Sequence, residues 1–287
     1  MPLGRIVHEL MHTRYVAIQI HNPCELIETP PELVEFRARL GLDPASEPGP
    51  RGISPMYGFS PDLTLVATSP LVLGVMFDGD LAWPDHCHAV GFLFDGDGGS
   101  FQPDGALERF LASGPPPVVF SLGTRRRHDR PRVMSLYAEA ARLAGRRAIL
   151  RDAWTDGVDW ERPEHALVVG TEVPAAWLLE RAACVVHDTD SGATAFGLRS
   201  GAPTVPVPSD PSLLGWARAS QALGCSPAVL PFGDLTARDL AGALAMAVDD
   251  PRCRACAGDV RRTILAEHGT DTASRLIRDF LTSRTPA

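Results

Sequence analysis

Two loops of the sequence combine glycine with hydroxyl side chains directly after apolar runs. The first is Ser-Leu-Gly-Thr at residues 121–124, and the second is Ser-Gly-Ala-Thr at residues 191–194, preceded by His187. Free N–H groups at the start of a helix favour anions, and a glycine lets a ligand approach the backbone. Both loops therefore have the chemistry of phosphate binding, with Ser121, Thr124 and His187 as side-chain donors.

Two acidic side chains stand in the second loop, where an anion would bind. Asp188 and Asp190 follow His187, and at ~5 Å with an effective dielectric constant near 20 each carboxylate would repel a phosphate charge by roughly 3 kcal/mol before screening. An aspartate is also a good cap for a helix N-terminus. Arginines at 125–127 offset the acids only if they point inward, and a solvated basic patch is the plainer interpretation. Two alternatives stay open: the acids cap an empty helix end, or they move aside for a ligand.

Short apolar strands alternate with helices after residue 115, and these elements must hold the two loops. The alternation predicts a parallel sheet with helices on both faces and a ligand at the carboxyl ends of the strands. A last strand is predicted at 228–230 and one long C-terminal helix at 263–281. The predicted strands before these lie at residues 117–121, 147–150, 166–169, 183–186 and 204–208, and the predicted helices at 133–143, 175–181, 194–200, 213–223 and 236–248.

The first hundred residues have the pattern of strands and loops with one helix, at residues 31–40. Residues 95–105 consist of turn-forming side chains and predict a linker. We therefore expect two domains, residues 1–105 and residues 106–287.

Composition excludes several classes of function. The chain has 287 residues and a net charge of −8, and all 27 basic residues are arginine. The negative charge gives no electrostatic support for a nucleic-acid partner. No apolar run has transmembrane length, the N-terminus lacks a secretory pattern and the six cysteines are scattered. We expect a soluble, reduced, cytoplasmic protein without a transmembrane segment.

Four segments carry a family resemblance in the same order as in the family. They read PPPVVFSLGT at 115–124, VPAAWL at 173–178, VVHDTDSGAT at 185–194 and LRSGAPTVPVP at 198–208. The chain resembles GT-B glycosyltransferases of the UDP-glycosyltransferase type, in particular the bacterial group of sterol and glycopeptide-antibiotic glycosyltransferases, whose corresponding motifs include PPVYVGFGS and VVHHGGAGTT. LAWPDHCHAVGFLF at 81–94 is similar to the segment that closes the family's N-terminal domain.

The resemblance implies a fold and an activity. The fold is α/β, with two Rossmann-like domains built on parallel sheets, the N-terminal one incomplete. The activity is transfer of a hexose from a nucleotide-diphosphate sugar to a hydroxyl of a hydrophobic acceptor, such as a natural product, sterol or lipid, as in secondary metabolism. The nucleotide sugar is the donor substrate, and no metal or other cofactor is implied.

The resemblance also implies site residues. The nucleobase lies against the loop at Val173, and the family's sugar-binding positions fall near Asp210 and Ser212, with no catalytic base assigned. The diphosphate is implied to contact His187, Ser191, Gly192, Ala193 and Thr124.

The chain departs from the family pattern in the loop after His187 and at its N-terminus. HHGGAG of the family is HDTDSG here, and family members carry further residues before the position that matches Met1. We therefore expect a truncated acceptor-side domain, exposed sheet edges that a second copy or a partner chain covers, and weak nucleotide-sugar binding. The alternative functions are an inactive pseudo-glycosyltransferase that acts as a binding or helper subunit, or one part of an enzyme completed by a missing N-terminal segment.

Three other motifs point to weaker alternatives. The Asp-Thr-Asp-Ser run at residues 188–191 resembles an aspartic-protease loop, but that chemistry needs two such loops. In His86-Cys87-His88 the cysteine points to the opposite side of a strand from the two histidines, and no paired ligand motif accompanies them, which disfavours zinc. Cys253 and Cys256 have redox spacing within a helix that does not follow a strand end.

Overall fold

A computed structural model describes residues 11, 14, 16–19, 31–41, 60, 62–79, 83–96, 99–121, 129–152 and 160–283. Thr124, the arginines at 125–127 and Trp154 lie outside these residues. The chain divides into two compact units, Met1–Phe94 with Glu267–Ala287, and Asp95–Ala266. This division assigns the last helix to the first unit, whereas the sequence places that helix in the second domain, and it falls at residue 94 rather than 105.

The elements have the following bounds. The strands are β1 Val16–Gln19, β2 Leu63–Val66, β3 Cys87–Ala89, β4 Val118–Ser121, β5 Ala148–Arg151, β6 Ala166–Val169, β7 Cys184–His187 and β8 Thr204–Pro206. The helices are α1 Pro31–Arg39, α2 Pro70–Met76, α3 Gly105–Ala112, α4 Arg130–Leu143, α5 Ala175–Leu179, α6 Ser191–Ser200, α7 Leu214–Ala222, α8 Ala237–Asp249, α9 Pro251–Ala266 and α10 Gly269–Thr282.

The first unit contains a three-stranded parallel sheet in the order β1-β2-β3. Leu63 and Leu65 of β2 point to the same side of the strand and pack with Phe280 and its neighbours on α10. The guanidinium of Arg14 lies 3.8 Å from the centre of the Phe280 ring and donates to the Phe280 carbonyl at 2.8 Å. These contacts attach α10 to the sheet of the first unit.

The second unit contains a five-stranded parallel sheet in the order β6-β5-β4-β7-β8. Period-two alternation along β4 sends Val118 and Phe120 to one face, where α4 and α8 cover them, and Val119 to the other, where α3 and α5 lie. Burial of each such side chain stabilises the fold by about 1.5–3 kcal/mol. The predicted parallel sheet with helices on both faces is therefore confirmed.

Several element predictions are wrong for local reasons. The C-terminal helix predicted at 263–281 covers the last turn of α9 and most of α10, which are separate helices because the backbone turns left-handed at His268 (φ 49°). The predicted strand at 228–230 does not form. Pro227 and Pro231 flank it and cannot donate to a ladder, although Leu230 N–H reaches the Pro206 carbonyl at 3.1 Å.

Two helices were missed by the sequence analysis. The first hundred residues contain α2 besides α1, and Ser69 caps α2 by accepting from Val72 N–H. The linker predicted at 95–105 runs directly into α3, whose N-cap Asp104 accepts from Leu107 N–H at 2.7 Å. A serine or aspartate before an apolar run was the available signal in both cases.

None of the helices described is long and apolar enough to cross a membrane.

Candidate functional site

The carboxyl ends of three neighbouring strands lie level with each other. Ser121 at the end of β4 is in register with Arg151 of β5 on one side and with His187 of β7 on the other. A cavity of about 250 Å³ opens at this edge. Its polar lining residues are Ser121, Arg151, Thr171, His187, Asp188 and Asp190, and its apolar ones are Ala175, Leu179, Val185, Ala193 and Phe196. The sheet therefore brings the predicted loop after β7 to the place where α/β proteins bind ligands.

Helix α6 begins at Ser191, three residues before its predicted start. Asp190 is its N-cap, and the carboxylate Oδ1 accepts from Ala193 N–H at 2.7 Å. The Asp190 carbonyl accepts from Thr194 N–H at 2.9 Å. The Asp190 side chain thus occupies an N–H group that the sequence analysis assigned to the diphosphate, which matches the alternative in which this acid caps the helix.

Asp188 has a different role from Asp190. Its Oδ1 accepts from Ser209 N–H at 2.8 Å and its Oδ2 accepts from the Ser209 hydroxyl at 2.8 Å. The side chain is buried, with 7% of its surface exposed. Asp188 therefore fastens the loop after β7 to the loop after β8.

Thr189, between the two acids, has a left-handed backbone with φ 38°. This region costs a residue other than glycine about 1–2 kcal/mol, and the family has glycine here. The side chain is fully buried and its hydroxyl donates to the Leu213 carbonyl at 3.3 Å. The loop thus keeps a glycine-type backbone with a threonine that bonds across to the next loop.

His187 is buried at the end of β7, with 1% of its surface exposed. Burial lowers the pKa of the imidazole to about 4, against the opposing charge of Asp190. Nδ1 accepts from Thr189 N–H at 3.2 Å, so the neutral ring carries its proton on Nε2. Nε2 is buried without a hydrogen-bond partner in the described part of the chain, and it lies 3.3 Å from where a Cβ on Gly197 would be. The ring is therefore a neutral donor packed against α6.

Arg151 is a cavity residue that the sequence analysis missed. Its Nε donates to the Val173 carbonyl at 3.0 Å and its Nη2 approaches the Thr171 carbonyl at 3.5 Å. Burial lowers the pKa of the guanidinium, and the negative charge of Glu172 opposes that shift. The predicted strand ended at residue 150, one residue short of Arg151, so the register that places this arginine beside Ser121 was not visible.

A buried ion pair supports the end of β5. Arg130 at the start of α4 donates from Nε to Asp152 Oδ2 at 2.8 Å, and both side chains are buried. The pair connects α4 to the residue that follows Arg151. The sequence analysis did not identify it, because the partners are 22 residues apart and no short motif joins them.

The remaining predicted site residues lie at other points of the same unit. Val173 is buried, and its carbonyl accepts from Arg151. Asp210 caps the short 3₁₀ turn Pro211–Leu213 by accepting from Ser212 N–H at 2.9 Å, and both residues are exposed and do not line the cavity described above. The sugar-side role of Asp210 and Ser212, and the diphosphate role of residues 191–193, stay predictions. Thr124 lies outside the described residues.

Comparisons with known proteins identify relatives of this chain, although no protein-family model matches it. The chain is 34% identical over 260 residues to the O-mycaminosyltylonolide 6-deoxyallosyltransferase of Streptomyces fradiae, a match that covers 89% of this chain and 58% of that enzyme. It is 25% identical over 168 residues to a sterol 3-beta-glucosyltransferase of Arabidopsis thaliana, covering 58% of this chain and 26% of that protein. The chain thus spans little more than half of the first relative's length.

Solved structures resemble the chain in fold. The glycotransferase of kitacinnamycin superposes with a TM-score of 0.70 at 18% identity, covering 97% of this chain and 73% of that one. The spinosyn forosaminyltransferase SpnP superposes with a TM-score of 0.68 at 20% identity, covering 98% of this chain and 74% of that one.

The parallel sheets and the structural neighbours define the GT-B glycosyltransferase fold. The sequence relatives are glycosyltransferases of the macrolide, sterol and glycopeptide types, and the chain is a homologue of them. The resemblance found in the sequence and the α/β fold of GT-B type that it implied are therefore confirmed, while an incomplete N-terminal domain stays a prediction.

Proposed function

We propose that this protein transfers a hexose-type sugar from a nucleotide-diphosphate donor to a hydroxyl group of a hydrophobic acceptor. The observation that carries the proposal is the cavity at the carboxyl ends of β4, β5 and β7, beside the N-terminus of α6. A natural-product acceptor accords with the 34% identical relative, a 6-deoxyallosyltransferase named for a macrolide acceptor.

The proposed donor orientation follows from the chemistry of the cavity walls. The diphosphate lies toward the amides of residues 191 and 192, since helix N-terminal N–H groups bind anions, and Ala193 N–H joins them only where Asp190 releases it. The base lies toward the loop that contains Val173, where Thr171, Ala175 and Leu179 provide a mixed wall. Preorganised donors at the diphosphate stabilise the charge that develops on the leaving group as the bond to the sugar breaks. No metal or cofactor is part of this proposal.

Product formation tests the proposal directly. The purified protein is incubated with UDP- and dTDP-hexoses and a panel of hydrophobic acceptors, including a macrolide aglycone and a sterol, and glycosides are detected by mass spectrometry. We expect a glycoside that depends on both donor and acceptor, with release of the nucleoside diphosphate. Absence of product with every pair would contradict the proposal.

An inactive helper subunit is the alternative, and the relatives do not favour it because they are transferases. Titration calorimetry with UDP-glucose and dTDP-glucose separates the two functions. Binding in the micromolar range argues for a working donor site, and no binding at millimolar donor argues for the helper. A cytoplasmic location and a second copy or partner chain on the first unit stay predictions.

A further inference from the structure

The cavity contains a cation that the predicted donor site did not include. We propose that the Arg151 guanidinium contacts the phosphates of the nucleoside diphosphate and offsets the charge of Asp190. This inference rests on the proposed function and adds a recognition residue to that site.

The position of Arg151 supports this role. It ends β5, in register with Ser121 of β4, and Ser121 is itself in register with His187 of β7. Arg151 and Asp190 line the same cavity. Arg151 therefore lies on the wall of the same cavity as the first turn of α6.

The described hydrogen bonds of Arg151 fix the position of its side chain and involve only some of its N–H donors. A guanidinium has five N–H donors, and in the described part of the chain two of them face the carbonyls of Val173 and Thr171. Backbone acceptors hold the side chain without neutralising it. The remaining donors have the planar geometry that matches two phosphate oxygens at once.

Of the charged side chains that line the cavity, Arg151 favours a negative ligand, whereas Asp188 and Asp190 disfavour one. Among the described lining residues Arg151 is the one cation, since His187 is neutral. Asp188 uses both carboxylate oxygens on Ser209, and Asp190 uses Oδ1 on Ala193. In the described part of the chain no carboxylate lies within ion-pair distance of Arg151, although Glu172 is near enough to influence it. A half-buried cation in this state has lost hydration that a phosphate contact would replace.

The test compares Arg151→Gln with wild type in titration calorimetry against UDP and uridine, with the dTDP and thymidine pair measured in parallel. We expect Arg151→Gln to weaken UDP binding about tenfold or more and to leave uridine binding within about twofold. Arg151→Lys keeps the charge without the planar donors, so its UDP affinity falls between those of wild type and Arg151→Gln. Added salt weakens UDP binding less in Arg151→Gln than in wild type.

Arg181→Gln is the matched control. Arg181 also donates to a backbone carbonyl, that of Trp177 at 2.6 Å, but it does not line the cavity. We expect UDP affinity in this variant to stay within about twofold of wild type. Retained uridine binding by Arg151→Gln shows that the variant is folded.

Three results would overturn the inference. An equal loss of UDP and uridine affinity in Arg151→Gln means that the arginine only holds the loop at 171–173. Unchanged UDP affinity means that it does not meet the phosphates. If wild-type protein binds UDP no more tightly than uridine, the phosphates gain no contact from the protein. In all three cases the product assay tests the transferase proposal independently.

Discussion

The two sides of the cavity carry opposite charges and use their hydrogen bonds in opposite ways. On the side of β7, Asp188 and Asp190 use carboxylate oxygens on Ser209 and on Ala193 N–H within the protein. On the side of β5, the hydrogen bonds of Arg151 within the described residues go to neutral carbonyls. The acids that seemed to oppose an anion in the sequence therefore also hold the loop and cap α6, while Arg151 has no carboxylate within ion-pair distance among the described residues.

The largest effect is expected at the residue that follows Arg151. Asp152→Ala leaves Arg130 buried without its carboxylate, which destabilises a protein by about 3–5 kcal/mol. Urea unfolding followed by circular dichroism measures the loss. Glu139→Ala breaks an exposed pair with Arg142 in the same helix α4 and is the control, with little change expected. Equal losses in the two variants would show that the support of β5 does not depend on the buried pair.

The second effect tests whether Asp188 is structural. Asp188→Ala removes two hydrogen bonds from Ser209 to a buried carboxylate and leaves a partly buried N–H without that partner, so we expect the free energy of unfolding to fall by about 3 kcal/mol. Ser209→Ala removes only the hydroxyl bond and is expected to cost about 1 kcal/mol. If Asp188→Ala is as stable as wild type but binds nucleotide with a different affinity, Asp188 acts on the ligand rather than on the fold.

The third effect concerns pH and His187. The folded pKa of about 4 lies below the ordinary value of 6.5, so folding favours the neutral ring. This contribution to stability is complete above about pH 6.5 and is lost as the pH falls toward 4, with a slope of up to about 1.4 kcal/mol per pH unit. His187→Gln removes the titrating group, so its stability should depend less on pH in that range. Urea unfolding at a series of pH values checks this, and parallel curves for the two proteins would contradict it.

The smallest effect tests whether the Asp190 carboxylate weakens the binding of UDP. Asp190→Gly frees Ala193 N–H and removes a negative charge, so we expect UDP to bind about tenfold more tightly. Glycine is itself a fair N-cap, so the helix loses only a few tenths of a kcal/mol. Asp104→Gly removes an equivalent cap on α3 away from the cavity and should leave UDP affinity unchanged. No gain in Asp190→Gly would show that the carboxylate already turns away from the ligand.

Local signals predicted a large part of the fold. The alternation of apolar strands and helices after residue 115 indicated the parallel sheet, and the strand ends at Ser121 and His187 were located within one residue. The errors occurred where the spacing of apolar residues continues across a change in backbone conformation. Residues 263–281 have continuous helical spacing, but His268 breaks the helix. The spacing of apolar residues alone does not reveal such a break.

The sequence predicted only part of the candidate site, because a local pattern reveals only residues that are contiguous in the chain. The loop from His187 to residue 194 is contiguous, so its glycine, hydroxyl and acidic residues were visible as one motif. Arg151 reaches the same cavity from a strand 36 residues earlier, through pairing of β5 with β4. That proximity follows from register, which depends on packing between distant segments.

By itself the sequence determined the α/β class, the resemblance to GT-B glycosyltransferases and the glycine-containing turn after β7, because apolar periodicity and contiguous motifs are local properties. The tertiary structure decided which acid is buried at Ser209 and which caps α6, the tautomer of His187, and the presence of Arg151 in the cavity. Each of these depends on which segments lie side by side, and hydrogen bonds between them decide whether a charged residue serves the fold or faces a ligand.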